Sequence, residues 1–486
     1  MLSTKSTVNE APMTRVLSDN DRKKIYRGAL EILGRTGVKL GHPGSVRILS
    51  EAGARVDQDV VFIPANLVEE ALTAAPETVL IYDRTGTLAM RLGGTNSYTG
   101  TCQGTPNTLT VEGQRRKAGR EDVQNAGLVV DALDNIDFLM SMGVILDEPV
   151  NVSDLYQFRE MLFNTSKPLV FTSHDKRGSK DIFQMASIAA GGEEELRRKP
   201  FIIHFIEPAT PLSHSGNAVD KLIFQSEKNM PIVYAPAVTA GDTGPTTIAG
   251  TLALSIADSL AGITLAQLVN PGTPVITGGV CAFHARNTST HSCSSPETAL
   301  MHSALSEMSR YLSLPVFGTA GCSDSRLPDG QAALEGTFSL TTQLFSGANL
   351  VHNIGNLESG ESSSLEQLVM SNEIISMVKR IARGIDTGDL RSVADLVDEV
   401  GPKGTFLGKP DTVEKFKSEI WEPQLIDRRN VEDWKKEGSK TMGDRVKEKA
   451  REILETHEIP ELSKDKKEII DELIQGERKK REVSQR

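Results

Sequence analysis

Phe201-Ile202-Ile203-His204-Phe205, followed by Ile206-Glu207-Pro208, is the stretch whose reading decides the fold. It is a brief apolar run with no polar face, ended by a charged residue and a proline. A strand that must pack on both sides looks like this, because helices or strands cover each face of a parallel sheet. Seven further segments share the texture: Tyr98 to Thr101, Phe138 to Met142, Leu169 to Thr172, Ile232 to Ala235, Pro274 to Thr277, Pro315 to Gly318 and Leu350 to Asn353. They recur at intervals of roughly 30 to 40 residues with helical stretches between them, the rhythm of repeated βα units. Eight such units predict an α/β fold, a (β/α)8 TIM barrel.

Outward from the barrel, expected over 94–410, the chain divides into two flanks. Residues 1–93 read as an α/β prelude packed on the barrel. It has a capped helix from Ser18-Asp19-Asn20-Asp21 to Gly34, a helix over Ala65 to Ala75, and a strand pair at Val79 to Tyr82 and Leu88 to Leu92. Residues 411–486 turn polar and helical, a C-terminal helical extension whose last stretch, Glu477 to Arg486, is expected to fray.

The chain has 486 residues, enough for a large buried core, and a net charge of −11 that argues against a nucleic-acid partner. No run approaches the ~20 apolar residues of a membrane span. Four scattered cysteines do not make a disulfide scaffold, so a cytoplasmic protein is expected.

The loops after the strands hold Gly, Pro and polar residues: Gly100 to Gly104, Ser173-His174, Glu207-Pro208, Gly278-Gly279, Gly318 to Asp324 and Gly355-Asn356. In a parallel barrel these strand ends form the mouth of the active site. Gly241-Asp242-Thr243-Gly244-Pro245-Thr246 lacks the Gly-Lys-Ser/Thr ending of a phosphate loop and reads as a tight turn.

Several ordered pieces then resemble the trimethylamine methyltransferases and their non-pyrrolysine relatives, which act on quaternary amines such as glycine betaine. They are Leu33-Gly34-Arg35-Thr36-Gly37-Val38, Leu49 to Asp57, Ile63 to Val68, Glu207-Pro208, Leu265 to Gly272, Ser323 to Asp329 with Gln331 and Glu335, and Trp421-Glu422-Pro423 with Asp427-Arg428. The resemblance implies methyl transfer to the Co(I) corrinoid (cobalamin) of a separate corrinoid protein, a homo-oligomer, and no metal bound by the chain itself. It also implies a pyrrolysine near Asp324 to Asp329 in the trimethylamine enzymes. Only ordinary residues stand there, which moves the expected substrate from trimethylamine to a small quaternary amine, glycine betaine first.

A quaternary ammonium has no N–H, so its site needs aromatic faces and a nearby negative charge. Tyr98, Phe205, Tyr234, Phe283 and Phe317 are the aromatic candidates, each weighed against plain barrel packing, and Glu207 is the candidate charge, weighed against a loop salt bridge. Donors for a substrate carboxylate are expected from His352-Asn353, Gln103 and His204, with a satisfied core histidine the competing account of His204. Cys281, His284, His291, Cys293 and Cys322 form a thiolate and imidazole pattern that zinc could use, which would make the chain a zinc-dependent methyltransferase to a thiol. A non-catalytic betaine-binding barrel is the third alternative.

Overall fold

The structure is a computed structural model that describes residues 13–284, 291–387 and 390–484. Seven of the eight expected segments join one parallel sheet: β1 (Tyr98–Thr101), β2 (Leu169–Phe171), β3 (Ile202–Ile206), β4 (Ile232–Tyr234), β5 (Val275–Gly278), β6 (Val316–Thr319) and β7 (Leu350–Ile354). Their order is β1-β7-β6-β5-β4-β3-β2, so each strand from β2 to β7 lies beside its sequence neighbour. A helix follows each of them, from Lys176–Ala190 after β2 to Leu365–Ala382 after β7.

The sheet is curled. β3 and β6 are separated by two strands, yet the rings of Phe205 and Phe317 lie 5.2 Å apart, a contact that only a strongly curved sheet allows. The eighth segment, expected as a strand over Phe138 to Met142, is a correction. It forms single parallel bridges, Phe138 to Gly100 of β1 and Leu139 to Leu169 of β2. Backbone bonds join it at Leu139 N to Pro168 O (3.0 Å) and Val170 N to Leu139 O (2.9 Å), and at Met140 a side chain takes the place of the ladder: the Thr101 hydroxyl accepts from Met140 N (2.8 Å) and donates to Met140 O (2.6 Å). Gly100 lets the Phe138 ring lie on the strand, since a Cβ there would meet that ring at 2.3 Å.

The interior is packed by Val170, Ile203, Phe205, Val233, Ile276, Phe317 and Leu350, which fills the curl with side chains. The hairpin Val79–Tyr82 with Leu88–Leu92 plugs the end where strands begin, adding Val79, Ile81, Met90 and Leu92 to that cluster. Around the sheet the helices share two larger clusters. One takes in Ile25, Ala29 and Leu33 of the first helix, Asp19–Arg35, which Ser18 caps. The other takes in Val446, Ala450, Ile453, Ile470 and Ile474 from the C-terminal helices. The last helix runs from Lys464 to Ser484, so the expectation of a frayed end from Glu477 is corrected over the described residues.

Helix Ile248–Val269 has the length and hydropathy of a membrane span, which the sequence reading did not anticipate. Within the fold 83% of its most apolar window is buried, and it packs against Asp19–Arg35 as a core helix.

Candidate active site

Alternation along the strands decides which candidates can meet a ligand, because neighbouring side chains point to opposite faces. On β3, Ile203 and Phe205 face the interior cluster, while Ile202 and Ile206 belong to the helix-facing clusters. His204 therefore points outward. It stacks on Phe171 at 4.4 Å between ring centres and meets the Ser173 hydroxyl at 3.2 Å through Nε2. Burial holds its pKa well below the ordinary range, so it is a neutral core histidine and the expectation of a ligand donor is corrected.

Tyr234 also faces the helices. Its hydroxyl meets His214 Nδ1 at 3.0 Å, and its ring lies against Gly262, where a Cβ would come within 2.1 Å. The absence of a side chain at Gly262 makes that packing possible. Tyr98 opens β1 at the plugged end, with its hydroxyl accepting from Arg91 N at 3.0 Å. Phe283 sits in a separate small sheet of Ala237–Ala240, Val280–His284 and His291–Ser292, packed against the helix-facing cluster. Asn353 occupies the register shift between β7 and β1 with φ of 75°, a left-handed position that asparagine tolerates. None of these four lines the cavity at the strand ends.

That cavity, about 250 Å³, is bounded by Gln103 and Gly104 after β1, Thr172, Ser173 and His174 after β2, and Phe205 and Glu207 at the end of β3. Val144, Ser153, Asp154 and Gln157 close one side, and Lys221 another. Three expected residues, Gln103, Phe205 and Glu207, are thus brought together. Phe205 leads inward to Phe317, which stacks on His352 at 4.1 Å, giving a row of three rings across the interior.

His352 departs from its expected role as a donor. Burial pushes its pKa down to about 3, and its Nδ1 lies 2.8 Å from the Gly318 carbonyl, which can only accept. The proton is therefore on Nδ1 and already used, and Nε2 presents a lone pair.

The electrostatics of the cavity rest on two carboxylates and one ammonium. Burial raises the pKa of Glu207, partly offset by Lys221. Burial likewise lowers Lys221, whose Nζ donates to the Ser173 carbonyl at 3.0 Å. Asp154 is 5% exposed, and its Oδ2 accepts from His174 N at 3.1 Å. Neither Asp154 nor Lys221 stood out in the sequence. In the structure Ser153-Asp154 opens helix Ser153–Asn164, and only the tertiary fold turns it toward the β2 loop.

The cysteine and histidine group does not converge. The thiol of Cys281 is buried and pushed up to about 12. Cys293 lies elsewhere, its Sγ 3.3 Å from Ser359 O, beside Cys322. The side chain of His284 lies outside the described residues, and among those described no three His, Cys, Asp or Glu side chains gather as a metal site. The segment from Ser323 is closed on itself. Glu335 accepts from the Ser323 hydroxyl (2.6 Å) and Asp324 N (2.9 Å), Asp324 accepts from the Ser292 and Ser359 hydroxyls, and Asp329 caps helix Gly330–Phe345.

Comparison with known proteins gives this geometry its context. A glycine betaine methyltransferase of Desulfitobacterium hafniense (strain Y51) is 29% identical over 456 residues, covering 93% of this chain and 94% of that protein. A trimethylamine methyltransferase, MttB, of Desulfitobacterium hafniense (strain DSM 10664 / DCB-2) is 30% identical over 443 residues, covering 90% and 89%. The crystal structure of the Methanosarcina barkeri monomethylamine methyltransferase shares the fold with a TM-score of 0.56 at 12% identity, over 90% of this chain and 88% of that one. The family described as trimethylamine methyltransferase (MTTB) matches residues 1–484, and the chain belongs to that family.

Proposed function

We infer that this protein moves a methyl group from a small quaternary amine, glycine betaine first, to the Co(I) corrinoid of a partner protein. The carrying observation is the cavity at the strand ends, where Phe205 lines the wall together with Glu207 and Asp154. An aromatic face and negative charge attract a cation that has no hydrogen to donate. The 29% identity with a glycine betaine methyltransferase supports the same substrate class.

The corrinoid is a second substrate in this reading, and its reduced cobalt would supply the nucleophile. The chain's task is then positional. A quaternary nitrogen departs as a neutral tertiary amine, so no residue has to deliver a proton to it, and the rate gain comes from holding the methyl group in line. Phe205 and the carboxylates hold the ammonium, and Lys221 faces the same cavity with a charge suited to a substrate carboxylate. The self-satisfied network from Ser323 to Glu335 supports a site that uses no special residue at that position. We also read the bridged Phe138-Leu139 segment as the eighth stave, which makes the curled sheet a closed (β/α)8 barrel.

The test is a panel of glycine betaine, longer betaines and trimethylamine mixed with Co(I) cobalamin, with methylcobalamin formation followed by absorbance. Turnover of glycine betaine and none of trimethylamine is expected. Failure of every quaternary amine in the panel would sink the proposal.

A further inference from the structure

The C-terminal helix reaches the wall of the cavity, where Arg481 meets Asp154. Arg481 lies one turn from the end of Lys464–Ser484, yet its side chain is only 8% exposed. Nη2 is 2.5 Å from Asp181 Oδ2, Nη1 donates to the Asn151 carbonyl, and Nη1 stands 3.9 Å from Asp154 Oδ1. Its Nε is buried without a hydrogen-bond partner among the described residues. A guanidinium is costly to bury, and this one is held by carboxylates on two different helices.

Asp154 is built into its place from several sides. Its Oδ2 lies against the first turn of helix Lys176–Ala190, where a Cβ on Gly178 would come within 2.2 Å, so glycine there makes room for the carboxylate. The backbone N–H of His174 donates to the same oxygen. Charged or titratable groups around Asp154 are His174 and Asp175 from the loop after β2, Asp181 from the following helix, Lys221, Glu207, and Arg481 with Glu477 from the last helix. Burial raises the pKa of Asp154 overall, and Asp175 adds to that, while His174 and Arg481 oppose the rise and favour the carboxylate.

We propose that Arg481 is a positioning residue of the binding site, holding Asp154 as an ionised second counter-ion for the quaternary ammonium. The proposal rests on the quaternary-amine reading of the cavity. Without Arg481 the carboxyl takes up a proton more readily, so cation binding fails at a higher pH. At alkaline pH Asp154 is ionised either way, and removing a nearby positive charge does not weaken the cation's hold.

The experiment uses the full chain in wild-type, R481Q, R481K, D154N and doubly substituted D154N/R481Q forms. Glycine betaine affinity is measured by calorimetry between about pH 5 and about pH 9, and the Asp154 carboxyl is titrated without ligand by carbon-13 NMR. For R481Q we expect the acid limb of binding to move up by about one pH unit, about tenfold weaker affinity on that limb, and affinity near wild type at the alkaline end. R481K should restore most of the loss, and R481Q should add nothing to D154N. Equal weakening of R481Q at every pH, or additive losses in the double variant, would overturn the proposal. Absence of betaine binding by the wild type would remove the substrate reading and the counter-ion role with it. An unmoved Asp154 titration in R481Q would remove the positioning role whatever binds.

Discussion

At the scale of single residues, Glu207 and Phe205 can be tested separately because one gives charge and the other surface. The Glu207 carboxyl is raised above its ordinary 4.5 by burial, so the folded chain holds that proton more tightly than the unfolded chain. Stability from this group is fully present at low pH and is lost as pH rises through the folded value. Glutamine removes that loss. E207Q should therefore keep or raise the melting temperature at neutral pH while weakening glycine betaine binding about tenfold, read by thermal denaturation and calorimetry. A drop in melting temperature would mean that Glu207 is a structural anchor instead. F205L keeps most of the volume and discards the aromatic face, so we expect a folded protein with binding weaker by about 0.5–2 kcal/mol. Unchanged affinity would place the cation elsewhere. Which candidates face the cavity was hardly legible beforehand. In Ile202–Ile206 both faces are buried, so no alternation of polar and apolar residues marks His204 as outward and Phe205 as inward. The same silence covers Tyr234. Asp154 and Arg481 escaped notice because one follows no local motif and the other lies in a charged tail.

At the scale of elements, seven strands were legible as apolar runs because burial on both faces selects that composition. The Phe138 segment shares the composition yet forms only isolated bridges, with backbone bonds at Phe138, Leu139 and Met142 and with the Thr101 side chain taking both polar groups of Met140. A pattern of apolar residues reports burial and says nothing about which atoms make the hydrogen bonds. This predicts an unusual sensitivity at position 101. T101V keeps the shape but strands the Met140 amide and carbonyl, at a cost of about 1–3 kcal/mol in urea denaturation, whereas T101S should retain most of the stability. Equal losses in both would assign the effect to packing of the methyl group. Helix Ile248–Val269 shows the same limit from the other side. Its composition fits a membrane span, and only its neighbours reveal a core helix. G262A there would press a methyl group on the Tyr234 ring, and overpacking of this kind costs about 1–3 kcal/mol.

At the scale of the whole molecule, the three sequence regions share their apolar clusters. The first helix packs into one cluster with the helices after β3, β4 and β5, and the C-terminal helices complete another with Phe158, Ile182 and Leu368. The last helix is also tied by Arg159 to Asp471 (2.5 Å) and by Gln475 to the Tyr156 hydroxyl (3.2 Å), both on helix Ser153–Asn164. That helix carries Asp154, so the end of the chain and the cavity wall are one packed unit. Unfolding is then expected as a single calorimetric transition, because no region keeps a core of its own once a neighbour leaves. A chain ending at residue 463 loses the buried side chains of Ile470 and Ile474, worth about 1.5–3 kcal/mol each when fully buried. It also loses every contact made by Arg481. We expect such a chain to melt at a lower temperature and to bind glycine betaine more weakly than the full chain, even at temperatures where circular dichroism shows it folded. Binding equal to that of the full chain under those conditions would show that the wall around Asp154 stands without its C-terminal support.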